Sequence, residues 1–226
     1  MTSLRLRSER GPLTPAGVEY GRSALGAPLL WFPASHSTPE TGLILAGTHG
    51  DETAAVVALS CALRSLLPEQ QRHHVILAAN PDGCQLGLRA NANGVDLNRN
   101  FPTENWKPGE THYRWNSYAT ERDVVLSSGS APGSEPETQA LCALIETLAP
   151  RWVVSLHEPL ACIEDPDSTA LAEWLSHALT CRWSPASATR RPALSATGVL
   201  NAPCPASRWS CRPSPPTRRA SVTSRR

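Results

Sequence analysis

The stretch GLILAGTHGDE, residues 42–52, joins a short apolar run to a cluster of polar residues. The apolar part, residues 42–47, ends in glycine and holds no charged side chain, which is typical of a buried parallel strand. Residues 52–67 follow a polar turn, are rich in Ala and Leu, and stop before Pro68, so they predict a helix. A buried strand that leads directly into a helix is the repeating unit of an open α/β sheet.

Other segments of the chain repeat this alternation. HVILAAN (74–80) and WVVSLH (152–157) predict two more buried strands. A capping box formed by Ser134 and the glutamate three residues later predicts the start of one helix, and residues 168–180 predict another. Residues 84–133, rich in Asn, Gly, Pro and Trp, predict long loops with little regular structure. We therefore expect an open, mostly parallel or mixed sheet with helices on both faces.

Two histidines lie at the ends of predicted strands. His49 follows one strand and His157 ends another, and ligands of open α/β sheets bind at the carboxyl ends of strands. His49 and Glu52 form an H-x-x-E pair, whose nitrogen and oxygen atoms suit Zn²⁺. Taken alone, this pair also fits a surface ion pair. Because a catalytic zinc needs three protein ligands, the distant His157 favours a zinc site made of all three residues.

A polar segment, NGVDLNRNF (93–101), is rich in hydrogen-bond donors. Asn98 and Arg99 suit the binding of a carboxylate, because a guanidinium can bind a carboxylate through two parallel hydrogen bonds. Asp82 and Asp96 are candidates to orient a ligand histidine, and capping of a turn is an equally good interpretation of both.

Four motifs, HGDE, NPDG, RANANGVDLNRNF and SLH, occur in this order and begin at residues 49, 80, 89 and 155. Together they resemble the zinc carboxypeptidase superfamily, and the likeness extends over roughly residues 18–180. The resemblance implies the α/β fold of that superfamily and one Zn²⁺ per chain. It also implies that His49, Glu52 and His157 are the zinc ligands.

The resemblance implies roles for three further side chains. Arg89 corresponds to the arginine that stabilises the oxyanion that develops in the transition state. Asn98 and Arg99 correspond to the pair that binds the terminal carboxylate of the substrate.

Within the superfamily, the phrases GLILAGTHGDE, NPDGCQLGLRANANGVDLNRNFP and HEPLACIEDP are similar to bacterial cytoplasmic amidases of cell-wall recycling. Those enzymes hydrolyse the γ-D-glutamyl–diaminopimelate bond, so the resemblance implies a small murein peptide as substrate and the cytoplasm as location. Two alternatives stay open. One is a zinc deacylase of the succinylglutamate desuccinylase or aspartoacylase type, which shares H-x-x-E and a late histidine. The other is a non-catalytic product that binds zinc.

The composition of the chain changes sharply after Thr180. Residues 1–180 hold 12 basic and 20 acidic residues, whereas residues 181–226 hold nine Arg and no acidic residue. The superfamily implies a glutamate late in the chain that acts as general base, and residues 181–226 cannot supply one. We therefore expect a truncated catalytic domain over residues 1–180, with a sheet that is incomplete at its C-terminal end. Residues 181–226 are expected to form a disordered tail that does not complete the sheet.

A one-base shift of the reading frame would explain this tail. Read one base out, the codons of residues 209–212 can encode Glu-Leu-Pro-Pro, which resembles the segment that carries the catalytic glutamate of the superfamily. The sequence therefore predicts that the chain is inactive or nearly so. The alternative is a genuine basic tail, kept disordered by its Pro, Ser and Arg content.

Charge and hydropathy argue against other classes of protein. A net charge of +1 does not favour nucleic acid as a partner, although the basic tail keeps that class as an alternative. No apolar run reaches the roughly 18 residues of a membrane helix, and the N-terminal segment lacks the apolar core of a secretory signal. Cys61, Cys84 and Cys142 lie in apolar stretches and are expected to be free thiols. The pattern does not determine an oligomeric state.

Overall fold

The computed structural model describes residues 4–114, 123–158, 162–165, 169–180, 182–185 and 198–200. In chain order the strands are β1 (Val18–Arg22), β2 (Pro28–Trp31), β3 (Leu43–Leu45), β4 (His74–Ile76), β5 (Glu110–Arg114), β6 (Asp123–Ser127), β7 (Val153–Ser155), β8 (Cys162–Asp165), β9 (Arg182–Pro185) and β10 (Gly198–Leu200). The α-helices are α1 (Thr53–Ser65), α2 (Pro81–Leu86), α3 (Pro136–Leu148) and α4 (Ala170–Leu179).

A four-stranded sheet in the order β10-β7-β3-β4 forms the centre of the molecule. Strand β3 lies between two parallel neighbours, with Ile44 opposite Val75 of β4 and opposite Val154 of β7. Strand β10 pairs antiparallel with β7, so the sheet is mixed. The predicted open, mixed sheet is confirmed, and the parallel strands come from the apolar runs because both of their faces are covered.

Alternate residues of β3 pack against helices on opposite faces of the sheet. Leu43 and Leu45 are fully buried in a cluster that includes Leu141 and Ile145 of α3. Ile44 packs on the other face, in a cluster that α1 supplies with residues such as Leu59. Burying one such aliphatic side chain stabilises the fold by about 1.5–3 kcal/mol. The expected helices on both faces are therefore present, and they hold the strand ends in fixed positions.

The prediction of long loops over residues 84–133 is wrong in two places. Helix α2 begins at Pro81, Asn80 caps it by accepting a 2.9 Å hydrogen bond from the backbone N–H of Gly83, and it ends at Gly87 with a φ of 68°. Strands β5 and β6 form an antiparallel hairpin in which Tyr113 lies opposite Val124. The turn motif NPDG is thus the start of a helix, because proline is favoured in the first helical turn.

The predicted capping box at Ser134 is also wrong. The hydroxyl of Ser134 donates to Oε1 of Glu135 over 2.7 Å, and α3 has no side-chain cap. The carboxylate of Glu137 is buried and accepts instead from the backbone N–H of Ala24 and from Nδ2 of Asn91, at 2.9 and 3.0 Å. Long-range partners thus replace the local pairing that the sequence pattern suggested.

Residues 181–226 contribute two short strands within the described part of the structure. Gly198–Leu200 adds β10 to the central sheet, and Arg182–Pro185 pairs parallel with β8. That residues 181–226 form a disordered tail that does not complete the sheet stays a prediction. Residues 201–226, which include the proposed shifted codons at 209–212, lie outside the described residues. The domain boundary at 180 and the frame shift stay predictions.

Across the described ranges, the longest helices have 13 residues, and none has the length and apolarity needed to cross a membrane.

Candidate metal centre

Two parallel strands bring the predicted ligands together. His49 lies four residues beyond the end of β3, and His157 lies two residues beyond the end of β7, its parallel neighbour. Glu52 is the residue before α1, so the loop between β3 and α1 carries two of the three side chains. Gly50 lets this loop approach α2 closely, since a Cβ atom at this position would overlap the backbone of Gly83.

The polar atoms of these three residues converge. Nδ1 of His49 lies 2.8 Å from Oε1 of Glu52, and Nδ1 of His157 lies 2.8 Å from Oε2 of the same carboxylate. The two Nδ1 atoms are 3.0 Å apart, and ligand atoms of all three residues lie within 4.8 Å of one another. His49 and Glu52 are buried, at 2% and 5% exposure. The geometry brings the predicted set to one point.

The outer nitrogen of each imidazole has its own partner. Nε2 of His49 lies 3.2 Å from Oδ1 of Asp96, and because a carboxylate only accepts, this nitrogen donates. Nε2 of His157 lies 3.0 Å from the hydroxyl of Ser155, which can donate or accept. The inner nitrogen of each ring, Nδ1, faces the Glu52 carboxylate and is the atom that a metal would bind. Two imidazole nitrogens and one carboxylate suit Zn²⁺ and leave a fourth position open, so the residues fit the metal that the resemblance implies.

Protonation of the cluster follows from these contacts. Burial alone would raise the pKa of the Glu52 carboxyl, but the hydrogen bonds from His157 and His49 hold that pKa far below its usual range. Burial lowers the pKa of His157 against the effect of its Glu52 contact. Burial would also lower the pKa of His49, yet the hydrogen bonds to Asp96 and Glu52 raise it above the ordinary value. The glutamate is therefore anionic at neutral pH, as a metal ligand must be.

Arg89 lies at the edge of this cluster. Its Nη1 atom donates to Oε1 of Glu52 over 2.9 Å, and its Nε atom is 3.9 Å from Oδ2 of Asp96. The guanidinium carbon lies 4.4 Å from the centroid of the Tyr113 ring. The structure thus places the arginine predicted to stabilise an oxyanion directly beside the candidate ligands.

Asn98 and Arg99 form part of a 3₁₀ turn that Asp96 caps, since the Asp96 carboxylate accepts from the backbone N–H of Asn98 at 2.9 Å. Asn98 is 6% exposed, and within the described structure its Oδ1 atom has no hydrogen-bond partner. Nη1 of Arg99 donates to the carbonyl of Asn98 at 3.0 Å. The carboxylate that orients His49 therefore also fixes the turn that carries the predicted substrate-binding pair.

The two aspartates left open by the sequence have different roles. Asp96 contacts His49, as described above. Asp82 accepts from the hydroxyl of Ser23 at 2.7 Å and from the backbone N–H of Leu25 at 2.8 Å, so it holds the loop between β1 and β2. Sequence reasoning missed the roles of Ser155 and Tyr113, because only the histidine of the SLH motif was singled out and Tyr113 stands in no motif.

Comparison with known proteins places these motifs in a family. The zinc carboxypeptidase family profile matches residues 12–161. Murein peptide amidase A of Escherichia coli (strain K12) is 68% identical over 178 residues, which are 79% of this chain and 74% of that protein. Murein peptide amidase A of Vibrio campbellii is 56% identical over 173 residues, 76% of this chain and 70% of that one.

Among solved structures, the murein-tripeptide amidase from Escherichia coli O157 superposes with a TM-score of 0.81 at 59% identity and covers 88% of both chains. Thrombin-activatable fibrinolysis inhibitor superposes with a TM-score of 0.52 at 20% identity, over 76% of this chain and 52% of that one, which shows a shared fold. On the family match and the identity to the two bacterial amidases, this chain belongs to the zinc carboxypeptidase family.

Proposed function

We propose that this chain carries the active site of a zinc-dependent amidase that hydrolyses the γ-D-glutamyl–diaminopimelate bond of murein peptides. The observation that carries the proposal is the meeting of Nδ1 of His49, Nδ1 of His157 and the Glu52 carboxylate. The 68% identity to murein peptide amidase A supports the substrate class. The resemblance to cytoplasmic recycling enzymes supports the cytoplasm as the place of action.

Three residues of the chain would hold one zinc ion: His49 and His157 through Nδ1, and Glu52 through its carboxylate. When bound, zinc lowers the pKa of a water molecule and polarises the carbonyl of the scissile amide. Asp96 would hold the imidazole of His49 in the tautomer that ligation requires, and the hydroxyl of Ser155 lies beside the outer nitrogen of His157.

Arg89 supplies a fixed positive charge next to this pocket. Because its guanidinium already contacts Glu52, a short rotation of the side chain brings it to a substrate oxygen beside the cluster. A cation there stabilises the negative charge that develops as the carbonyl carbon becomes tetrahedral.

Asn98 and Arg99 bind the carboxylate of the diaminopimelate residue in this proposal. A guanidinium presents two parallel N–H donors to a carboxylate, and an amide adds a third donor. In this arrangement Nδ2 of Asn98 donates to the carboxylate, and the buried Oδ1, an acceptor without a partner among the described residues, would accept from an N–H donor of the ligand.

The described part of the structure shows no carboxylate beside the cluster that is left without a partner and could act as general base. The carboxylates found around the cluster are engaged: Asp96 contacts His49, Asp51 accepts from Tyr113, and Glu158 accepts from the backbone N–H of Ala55 in the first turn of α1. No residue after Thr180 is acidic. We therefore propose that the chain binds zinc and substrate but turns substrate over slowly, and that residues 181–226 are read out of frame.

Metal content and substrate choice test this function. The chain should bind one zinc ion per molecule, measured by metal analysis after dialysis. It should bind L-Ala-γ-D-Glu-diaminopimelate more tightly than N-succinylglutamate, measured by calorimetry on the zinc-loaded protein. Tighter binding of N-succinylglutamate would favour the deacylase alternative instead, and binding of zinc without either ligand would favour the non-catalytic one.

A further inference from the structure

Tyr113 lies on β5, in a hairpin whose backbone is joined to the segment that carries Asp96. The backbone N–H of Asp96 donates to the carbonyl of Ser127 on β6 at 2.9 Å, and the N–H of Ser127 donates to the carbonyl of Gly94 at 3.0 Å. Backbone hydrogen bonds therefore fix the distance between this hairpin and the metal centre, so a side chain on β5 can act on the centre with a defined geometry.

Both ends of the Tyr113 side chain are held. Its hydroxyl donates to Oδ2 of Asp51 over 2.6 Å, in the same loop that carries His49 and Glu52. Burial, together with the hydrogen bond to Asp51, raises the pKa of Tyr113 to about 12, so the hydroxyl stays a donor at neutral pH. The ring therefore has one orientation, and its face is turned to the guanidinium of Arg89 at 4.4 Å.

The contact with the Tyr113 ring becomes important for Arg89 when Glu52 acts as a metal ligand. In the structure the guanidinium is held on one side by Oε1 of Glu52 and on the other by the Tyr113 ring. A carboxylate that ligates a cation shares its charge with that cation and attracts a guanidinium less strongly. The ring then remains as a contact that keeps Arg89 near the cluster while it turns to the substrate.

We propose that Tyr113, fixed by Asp51, is the positioning residue of Arg89: its ring holds the guanidinium beside the metal centre. The proposal rests on the amidase function argued above. An arginine side chain has many rotamers, and holding it in place before the reaction removes an entropic cost from the transition state. From the usual strength of a cation–π contact, removal of the ring should lower the rate about threefold to thirtyfold.

Nuclear magnetic resonance tests the contact without any need for turnover. A guanidinium over an aromatic ring has side-chain protons shifted upfield, and the Arg89 signals are assigned by their loss in Arg89→Gln. We expect the zinc-loaded parent to show this shift, Tyr113→Phe to show a smaller one because its ring loses the hydrogen bond to Asp51, and Tyr113→Leu to lose it. His112→Leu, at the neighbouring exposed position of β5, is the matched control and should keep the shift. Unchanged Arg89 signals in Tyr113→Leu would overturn the proposal.

Kinetics separate positioning from a general effect on folding. Single-turnover hydrolysis of L-Ala-γ-D-Glu-diaminopimelate, with zinc-loaded protein in excess, allows slow rates to be measured. Tyr113→Leu should lower the rate constant and leave the half-saturating concentration nearly unchanged, whereas Tyr113→Phe keeps most of the rate. In an Arg89→Gln background, the same Tyr113→Leu change should have less than about a twofold effect, since coupled residues are not additive.

Equal losses in the two backgrounds would show that Tyr113 acts independently of Arg89 and would overturn the proposal. A parent that binds zinc and does not bind the tripeptide would count against the amidase function, and the Arg89 resonances would still decide the role of Tyr113.

Discussion

Oδ1 of Asp96 lies 3.2 Å from Nε2 of His49, although 47 residues separate the two in the chain. Asp96 is fully buried, and its second oxygen has no hydrogen-bond partner among the residues that the structure describes. Burial alone would raise the pKa of Asp96, but the hydrogen bond from His49 lowers it, so the carboxylate is charged at neutral pH. A buried charge that points at a ligand histidine fixes the tautomer of that histidine.

Replacement of Asp96 should therefore weaken zinc binding. We expect Asp96→Ala to raise the dissociation constant for zinc about 10- to 100-fold, because outer partners of metal-binding histidines have effects of this size. Competition with a chelator of known affinity measures it. Asp82→Ala is the matched control: it removes a buried aspartate that contacts Ser23 and Leu25, and should lower the melting temperature with little change in zinc affinity. Equal zinc affinity in parent and Asp96→Ala would contradict the role of Asp96.

The proposed substrate-binding role of Arg99 predicts that a positive charge alone is not enough at this position. Arg99→Lys keeps the charge and loses the paired donors, so the dissociation constant for the tripeptide should rise about tenfold, as expected for one lost hydrogen bond to a charged group. Calorimetry on zinc-loaded protein measures this constant. Arg22→Lys, in an exposed pair with Glu19, is the control and should bind as the parent does. Unchanged binding by Arg99→Lys would remove Arg99 from the site.

Restoring the reading frame after Thr180 should restore activity. Loss of a general base typically lowers a rate about 10²- to 10⁴-fold. The restored protein should therefore hydrolyse L-Ala-γ-D-Glu-diaminopimelate at least about 100-fold faster than the chain as written. Both proteins are loaded with zinc and assayed side by side. Comparable rates of hydrolysis by the two proteins would contradict the frame-shift hypothesis and would require a general base among residues 1–180. Resequencing of the gene around the Thr180 codon is an independent check.

Two adjacent histidines on and beside β4 predict how stability depends on pH. Burial lowers the pKa of His74 and of His73, and the positive neighbour Arg72 lowers the pKa of His73 further. Each ring accepts a backbone hydrogen bond at 3.1 Å through Nδ1, His73 from Gly42 and His74 from Ala34, and protonation would break it.

As pH falls, the unfolded state binds protons before the folded state does, because both imidazoles have a pKa of about 6.5 when the chain is unfolded. The stability that these groups supply is complete above that pH and is lost as pH falls from about 6.5 toward their lower folded pKa values. Urea unfolding of the metal-free protein at several pH values measures how the free energy of unfolding changes with pH. The double variant His73→Asn/His74→Asn should show a weaker decline than the parent, whereas His36→Asn, at an exposed position, should decline as the parent does. A parallel decline in the double variant would contradict this account.

Some of the fold follows from local composition. The runs at 42–47, 74–80 and 152–157 became three adjacent strands, because a mostly apolar run is stable only where both of its faces are covered. The hairpin of β5 and β6 was missed, because its strands are partly exposed, and their stability comes from pairing with each other and with the Gly94–Asp96 segment. Such pairing leaves little trace in a single segment.

In the candidate site, too, some features follow from the sequence and others depend on tertiary contacts. The sequence by itself determined the residue types: His49, Glu52 and His157 stand next to strand ends, and a strand end has a fixed place in a parallel sheet. Only the tertiary structure decided which hydrogen-bond donor each buried carboxylate contacts. Asp96 orients a histidine, whereas Asp82 ties down a loop through Ser23, a residue 59 positions away. Glu137 could not be assigned from its local capping pattern either, since its partners Ala24 and Asn91 are 113 and 46 positions away. The physical reason is that a buried charge must find donors wherever the folded chain supplies them, and that choice depends on contacts between segments distant in sequence.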